Sequence, residues 1–225
     1  MPPSLQELLA ARLDALDDTT RRVVSAAAIA SVSITERRMA LVMGGPAETV
    51  ERGLEGAVDA HVLVGGPDGT YEWGHALLRE AAESAVLPGQ RLRLHRSWAA
   101  ALEAEVGRDE SLAIALAHHY ARALENDSTF RWSRRAADVA RRWYAPGEEL
   151  VLLEQVLALD ERVTPGLDRE ERLAYLERVV RVAWQNADLV RGRRWVLAAL
   201  AETDPDDDLR RARLLMLRAR VAPDL

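Results

Sequence analysis

The sequence contains neither cysteine nor lysine, so all 30 of its basic residues are arginine. The absence of cysteine excludes thiol nucleophiles, disulfides and cysteine-based zinc sites. The absence of lysine excludes Schiff-base chemistry and the phosphate-binding lysine of a P-loop. No apolar run approaches the ~20 residues that span a bilayer, and the N-terminus lacks the pattern of a signal peptide. We therefore expect a cytoplasmic protein.

The composition that remains favours helices. Ala, Leu, Arg and Glu dominate the 225 residues, and apolar residues make up 48% of them. This bias predicts a mainly α fold with enough apolar side chains for a large core. The net charge of −6 argues against general binding to nucleic acid or to anionic membranes.

Apolar residues at helical spacing predict four short helices in the first 60 residues. The first opens with the S-x-x-E capping box of residues 4–7. The second spans about 19–30, the third begins at 33–36 and ends at the break of 44–46, and the fourth spans 47–59.

The period then changes to that of strands. Residues 61–64 and 70–73 flank a Gly-rich turn, which predicts a β-hairpin. A helix that begins at His75 follows. Helices, a hairpin and a further helix occur in the order of a winged-helix domain, which we place at residues 1–88 with a boundary at Leu87-Pro88-Gly89.

Residues 89–225 carry helical patterns alone. Two predicted second helices end at Asp160 and Asp204, which lie 44 residues apart against about 34 for a tetratricopeptide unit. We therefore predict an antiparallel, tetratricopeptide-like helical array, an α-solenoid. No successor covers the last predicted helix, at 205–221, so we expect an array truncated at its C-terminus.

The five histidines show no zinc-binding spacing, and no metal site is predicted. His95 and His119 fall on apolar stripes and are expected in the core. His75 differs because it follows the second hairpin strand at the first turn of a helix, beside backbone N–H groups that suit an anion. The alternative for His75 is a capping or packing role.

The sequence argues against nucleic-acid binding in two places. The helix that would enter a DNA groove carries four carboxylates against one arginine, a net charge of −3 (Glu48, Glu51, Glu55 and Asp59 against Arg52). Another helix holds five arginines flanked by two tryptophans, a composition that suits a single strand (Arg131, Arg134, Arg135, Arg141 and Arg142 with Trp132 and Trp143). Since both tryptophans follow the predicted buried stripe, these arginines are expected on the solvated face.

No catalytic residue is predicted. Carboxylate runs such as Glu148-Glu149 and Asp206-Asp207-Asp208 stand at helix starts, where they suit the helix dipole. No G-x-S-x-G, G-x-G-x-x-G or Walker A motif occurs. We therefore expect that the chain is not an enzyme, and that most of its tryptophans fill the core.

Four stretches of the sequence together resemble large ATP-binding regulators of the LuxR type, which belong to the STAND class of signalling ATPases. They are Pro3-Ser4-Leu5 with the leucines that follow, Arg22 with Ala26-Ala27-Ala28, Tyr71-Glu72-Trp73-Gly74-His75-Ala76-Leu77-Leu78-Arg79-Glu80-Ala81, and Leu87-Pro88 with Arg91, Leu94-His95 and Ala99. The resemblance covers residues 3 to about 105 and becomes looser toward the end of the chain. Trp73 stands where the family usually has Phe.

The resemblance implies an ATPase domain, then a winged-helix domain, then a helical-repeat sensor, with a DNA-binding domain commonly closing the chain. This chain would hold the middle portion, so ATP or ADP and DNA would be bound by other segments. In related STAND proteins a winged-helix histidine contacts the ADP phosphate, and His75 is the position that matches. The implied partners are the protein's own ATPase domain and an effector, either a small molecule or a protein.

Two interpretations other than a regulator segment stay open from the sequence. In one, the helical array serves as a plain protein–protein scaffold with no nucleotide switch. In the other, this chain binds DNA directly, and the acidic helix at 46–60 argues against that.

Overall fold

The computed structural model describes residues 5–221. The capping box predicted at Ser4 lies outside the described residues. Within them, the chain is mainly α with a small antiparallel sheet, so the predicted fold class is confirmed. None of the described helices is both long and apolar enough to cross a membrane.

The described residues form twelve α-helices and three strands. The helices are α1 (Leu5–Asp14), α2 (Asp18–Ala28), α3 (Glu36–Met43), α4 (Ala47–Asp59), α5 (Ala76–Ala85), α6 (Pro88–Glu103), α7 (Leu112–Arg122), α8 (Asn126–Arg142), α9 (Pro146–Leu159), α10 (Arg169–Gln185), α11 (Leu189–Glu202) and α12 (Asp208–Val221). The strands are β1 (Ile34–Thr35), β2 (Leu63–Gly65) and β3 (Thr70–Trp73).

The chain divides into two compact units. The first holds the described residues up to Asp109 together with Arg122–Leu124, and the second holds Glu110–Ala121 and the described residues from Glu125 onward. In the first unit α2 packs on α4 and α5, while α3 packs on α4 and α6. Fully buried Val23, Met39 and Leu54 lie in its core.

Helix α6 belongs to the first unit. It begins at Pro88, soon after α5 ends, and the indole Nε1 of Trp98 donates to the carbonyl oxygen of Ala26 at 2.9 Å. Arg38 on α3 pairs with Glu105, just beyond α6, at 3.0 Å. The first unit therefore extends past the predicted boundary. The domain division at residue 88 and the winged-helix assignment stay predictions.

The sheet has the strand order β1-β3-β2, and both pairs are antiparallel. The hairpin β2–β3 is confirmed, with Leu63 opposite Trp73. Strand β1, which pairs Ile34 with Tyr71, is not predicted by the sequence pattern. A strand of two residues has no periodicity to detect, and the pattern assigns these residues to the start of α3.

The second unit is built from helical hairpins. Helices α8 and α9 form one hairpin and α10 and α11 the next, with α9 packed on α10 and α11 packed on α12. A capping box at Asp168 and Glu171 opens α10. The predicted helical-repeat array is therefore observed.

The repeat in this array has a period of 43 residues, one fewer than predicted. Tyr144 and Ala187, 43 residues apart, end the first helix of each hairpin in the left-handed conformation, at φ 54 and 55°. In both turns the following amide donates to the carbonyl five residues earlier, at 3.0 Å from Ala145 and 2.9 Å from Asp188. The same conformation thus closes both hairpins.

Replacing Ala187 with glycine is expected to stabilise the protein. A left-handed conformation costs an L-residue about 1 kcal/mol, and glycine adopts it without that cost. We expect Ala187→Gly to raise the free energy of unfolding by ~0.5–1 kcal/mol in urea denaturation. Ala174→Gly, at an exposed position inside α10, is the matched control and should lower it by ~1 kcal/mol. A loss of stability in both variants would contradict the assigned turn.

Candidate functional site

His75 is positioned by the end of the hairpin. The amide of Gly74 donates to the carbonyl oxygen of Val62 at 3.0 Å, and a Cβ at Gly74 would lie 2.9 Å from the carbonyl oxygen of His61. Only glycine fits this close approach. The contact fixes the position of the backbone at the point where α5 begins. His75 is the N-cap residue of α5, with its Nδ1 accepting from the amide of Leu77 at 3.1 Å.

The imidazole of His75 is exposed and keeps one nitrogen for another partner. Because Nδ1 accepts the Leu77 amide, the neutral ring carries its proton on Nε2. This N–H stands at a helix N-terminus, where the backbone dipoles favour negative charge. The side chain caps α5, and its contact with a nucleotide phosphate stays a prediction.

The other histidines follow the sequence analysis. His95 and His119 are buried, as predicted, and His118 is exposed on a different face. Within residues 5–221, no group of three or more His, Asp and Glu side chains is placed to hold a metal ion.

The surface of α4 is acidic in the structure. Its buried side consists of Val50, Gly53, Leu54 and Ala57, which leaves the four carboxylates exposed. Burial raises the pKa of the nearby Tyr71 hydroxyl, and the charges of Glu36, Glu51 and Glu55 raise it further. This face of the first unit carries a negative potential that opposes DNA phosphates.

We therefore expect no salt-sensitive binding of the chain to duplex DNA. A fluorescence anisotropy titration of labelled duplex at low salt should stay flat, because phosphate contacts dominate non-specific affinity. A control with a basic DNA-binding domain establishes the response of the assay. Binding that weakens steeply as salt is added would contradict the charge argument.

The prediction that most tryptophans fill the core is only partly right. Trp98 and Trp132 are buried, whereas Trp143 is 57% exposed and Trp184 is 42% exposed. Trp143 leaves the apolar stripe because α8 ends at Arg142 and Trp143 is its C-cap residue. The guanidinium of Arg220 lies over the ring of Trp184, 4.9 Å from its centroid.

A groove lies between α8 and α10, and the sequence analysis did not identify it. Two ion pairs join these helices: Arg134 with Glu171 at 2.6 Å and Arg178 with Asp138 at 2.7 Å. The larger of two cavities, about 610 Å³, is lined by Asp127, Phe130, Arg131, Arg134, Arg135, Asp138, Val163, Thr164, Pro165 and Tyr175. The smaller, about 370 Å³, is lined by Arg141, Glu149, Ala174, Glu177, Arg178, Arg181, Val182 and Gln185.

Arg178 holds three helices together in this groove. It donates to Glu149 on α9 at 2.6 Å, and to Asp138 and the carbonyl oxygen of Ala137 on α8 at 2.7 and 2.8 Å. Its side chain is 17% exposed and that of Glu149 is 5% exposed. Burial opposes the charge, but the hydrogen bonds to Glu149 and Asp138 outweigh it and raise the pKa of Arg178.

The larger cavity combines an aromatic wall with cations. The guanidinium of Arg134 lies 5.7 Å from the ring centroid of Phe130 and 6.0 Å from that of Tyr175. Burial raises the pKa of the Tyr175 hydroxyl. Arg131 and Arg135 lie over the ring of Trp132, at 5.5 and 5.3 Å from its centroid.

The groove differs in charge from the rest of the chain. Its two cavities are lined by six arginines and four carboxylates, a net charge of +2, whereas the whole chain carries −6. Four of the five α8 arginines are exposed, as predicted, but the sequence did not show that α10 lies beside them. The sequence does hold one sign of the groove. Arg178 lies 43 residues after Arg135, so the two arginines occupy equivalent positions in successive repeats.

Removing Arg178 is expected to destabilise the protein strongly. Arg178→Gln leaves Glu149 buried without its cation, and breaking such a pair from one side costs about 3 kcal/mol. Urea denaturation followed by circular dichroism measures the loss. Adding Glu149→Gln in the same chain should recover part of it, since the orphaned charge is removed.

Arg181→Gln is the matched control on the same helix. Arg181 is exposed, so its replacement should change the free energy of unfolding by no more than ~0.5 kcal/mol. Equal effects at the two positions would show that the ion pairs of Arg178 do not hold the hairpins together.

No protein-family model and no curated protein matches the chain. It is similar to a solved structure of a Signal Transduction ATPase with Numerous Domains (STAND) protein with a tetratricopeptide repeat sensor from Pyrococcus horikoshii, with 10% sequence identity and a TM-score of 0.49. That match covers 98% of this chain, which spans 37% of the other. A likeness this weak carries no argument about family or function.

Proposed function

We propose that this chain is a non-catalytic sensing and transducing segment of an ATP-dependent regulator. Its helical array binds an effector or a partner protein, and its first unit faces a nucleotide-binding ATPase domain in the same protein. The observation that carries this proposal is the α8–α10 groove, a lined concavity with cations and aromatic rings on an otherwise acidic chain.

The groove suits recognition better than chemistry. Its buried carboxylate, Glu149, accepts a hydrogen bond from Arg178 at 2.6 Å and is therefore already engaged in an ion pair within the protein. Arg134 is likewise held by Glu171. Fixed charges of this kind orient a ligand. Because they also join two hairpins, the shape of the ligand site depends on the distance between those hairpins.

This spacing gives a route from binding to response. A ligand shifts a conformational equilibrium only by as much as it binds one state better than the other. An occupant of the groove touches α8 and α10 together, so its affinity depends on how these helices are spaced. Changes in hairpin spacing would then alter how the array acts on its neighbours.

His75 is the residue that we propose for the nucleotide side of the mechanism. Its Nε2–H faces solvent at the start of α5, as a donor to a phosphate of ADP held by the ATPase domain. This contact would favour the ADP-bound state. The proposal rests on the resemblance of the Tyr71–Arg79 stretch together with this geometry.

The test separates the imidazole of His75 from its capping role, in a protein that joins this chain to its ATPase domain. His75→Ala removes the cap and the ring, whereas His75→Asn keeps an N-cap acceptor and removes only the ring. We expect both variants to release ADP about tenfold faster, the loss of one charge-assisted hydrogen bond. Stopped-flow release of a fluorescent ADP analogue measures this rate.

His118→Ala, at an exposed histidine of the second unit, is the control and should release ADP at the unmodified rate. Normal ADP release and normal regulation in His75→Asn would remove His75 from the mechanism. If only His75→Ala is impaired, and its stability falls with it, the residue is a cap alone.

The second candidate function is a protein–protein scaffold without a nucleotide switch. Exposed apolar side chains on the last two helices favour it, since Val190, Leu209 and Met216 are all more than half exposed. The coding sequence upstream of this chain discriminates between the two functions. A Walker A motif there supports the regulator, and its absence from the whole reading frame supports the scaffold.

A further inference from the structure

We propose that the larger cavity of the α8–α10 groove binds a small organic anion, an apolar or aromatic body that carries a single negative charge. This inference deepens the proposed function, because it names the chemical class of the effector. It rests on the residues that line the cavity and on the ion pairs that bound it.

One side of the cavity is apolar. Phe130 and Val163 are buried in a cluster with Val156 and Leu159, and Tyr175 packs against that cluster. Pro165 completes this wall. An apolar or aromatic ligand body placed here loses its contact with water at little cost to the protein, which already presents the surface.

The other side supplies the counter-charge. Arg134 is fixed between two aromatic rings and a carboxylate, and Arg135 lies over Trp132. Among the described residues Arg135 forms no ion pair, so its guanidinium donors remain for a ligand. A planar guanidinium matches the two oxygens of an anionic group.

The carboxylates in the lining limit the ligand to one charge. Asp127 and Asp138 line the same cavity as the three arginines, which leaves a net charge of +1. A dianion such as a phosphate monoester would be repelled more strongly by these two carboxylates. A monoanion balances the charge and avoids that repulsion.

The dimensions favour a small molecule over a peptide. The cavity volume of about 610 Å³ lies in the range of small-ligand sites. The Arg178–Asp138 pair separates it from the smaller cavity, since Asp138 lines one and Arg178 the other. An extended peptide along the groove would have to break this pair. Trp132 is buried, so it is not a platform on which nucleobases stack.

The test uses the 225-residue chain and the dye anilinonaphthalene sulfonate, an aromatic body with one negative charge. We expect saturable dye binding, seen as a rise in fluorescence. Phenylacetate should displace the dye, phenyl phosphate should displace it less well, and neutral benzyl alcohol and inorganic phosphate should not displace it. The comparison of phenylacetate with phenyl phosphate distinguishes a carboxylate ligand from a phosphate ligand. Benzyl alcohol and inorganic phosphate separate the contribution of the apolar body from that of the negative charge.

Arg135→Gln tests the site itself. This substitution should lower the affinity for both the dye and phenylacetate about tenfold, as expected for the loss of one charge-assisted hydrogen bond. Arg193→Gln, at an exposed arginine of α11 outside the groove lining, is the control and should bind both ligands as the unmodified chain does. Both substituted side chains are exposed, so the unfolding midpoints should not change.

Three results would overturn the proposal: equal affinity in Arg135→Gln, equal displacement by benzyl alcohol, and no saturable dye binding. Stronger displacement by a hexaglutamate peptide than by phenylacetate would also overturn it and indicate a peptide groove. The assay needs no ATPase domain. Its failure is therefore distinguishable from failure of the nucleotide switch, which the His75 variants report.

Discussion

The structure of the helical array depends on arginines that bridge helices distant in sequence. A chain without lysine makes all of its cationic bonds with a planar guanidinium, which can donate to several acceptors at once. Arg178 joins α10 to α8 and α9, Arg172 joins α10 to Asp160 and to Glu202 on α11, and Arg210 joins α12 to Glu177 on α10. Each hairpin is thereby fixed to the next. Exposed ion pairs contribute little to stability, but these three arginine side chains are at most a quarter exposed.

The same bonds give the groove its shape and its charge. The pairs Arg134–Glu171 and Arg178–Asp138 keep α8 and α10 at the distance that leaves the two cavities of the groove. An apolar interface of the same size would pack without such a gap, because leucine and valine side chains interdigitate. Holding the helices through long polar side chains leaves room between their backbones. The arginines that hold the array therefore also line its candidate ligand site.

The sequence predicted the local structure well and the site only in part. Gly44 ends α3 within the predicted break at residues 44–46, since helix capping depends on neighbouring residues. The groove was not predicted because its ion pairs join residues that lie 29 to 40 positions apart in the sequence. Local hydrophobic periodicity gives no information at that separation. The strand β1 and the exposure of Trp143 were missed for a related reason. Each depends on where a neighbouring element ends, and boundaries are the least reliable part of a pattern.

His75 and the groove place different demands on the chain. A contact with nucleotide at the start of α5 needs only one donor and a helix N-terminus, which the short segment from Trp73 to Leu77 supplies. A sensor needs a surface whose geometry changes with occupancy, and this property arises from several helices together. Arg178 links the occupancy of the cavities to the spacing of the helices. It borders the smaller cavity, while its partner Asp138 borders the larger. An anion in the larger cavity that repelled Asp138 would leave Arg178 with Glu149 and Ala137 alone. The tie between α8 and α10 would then weaken at the position where the two hairpins are held together.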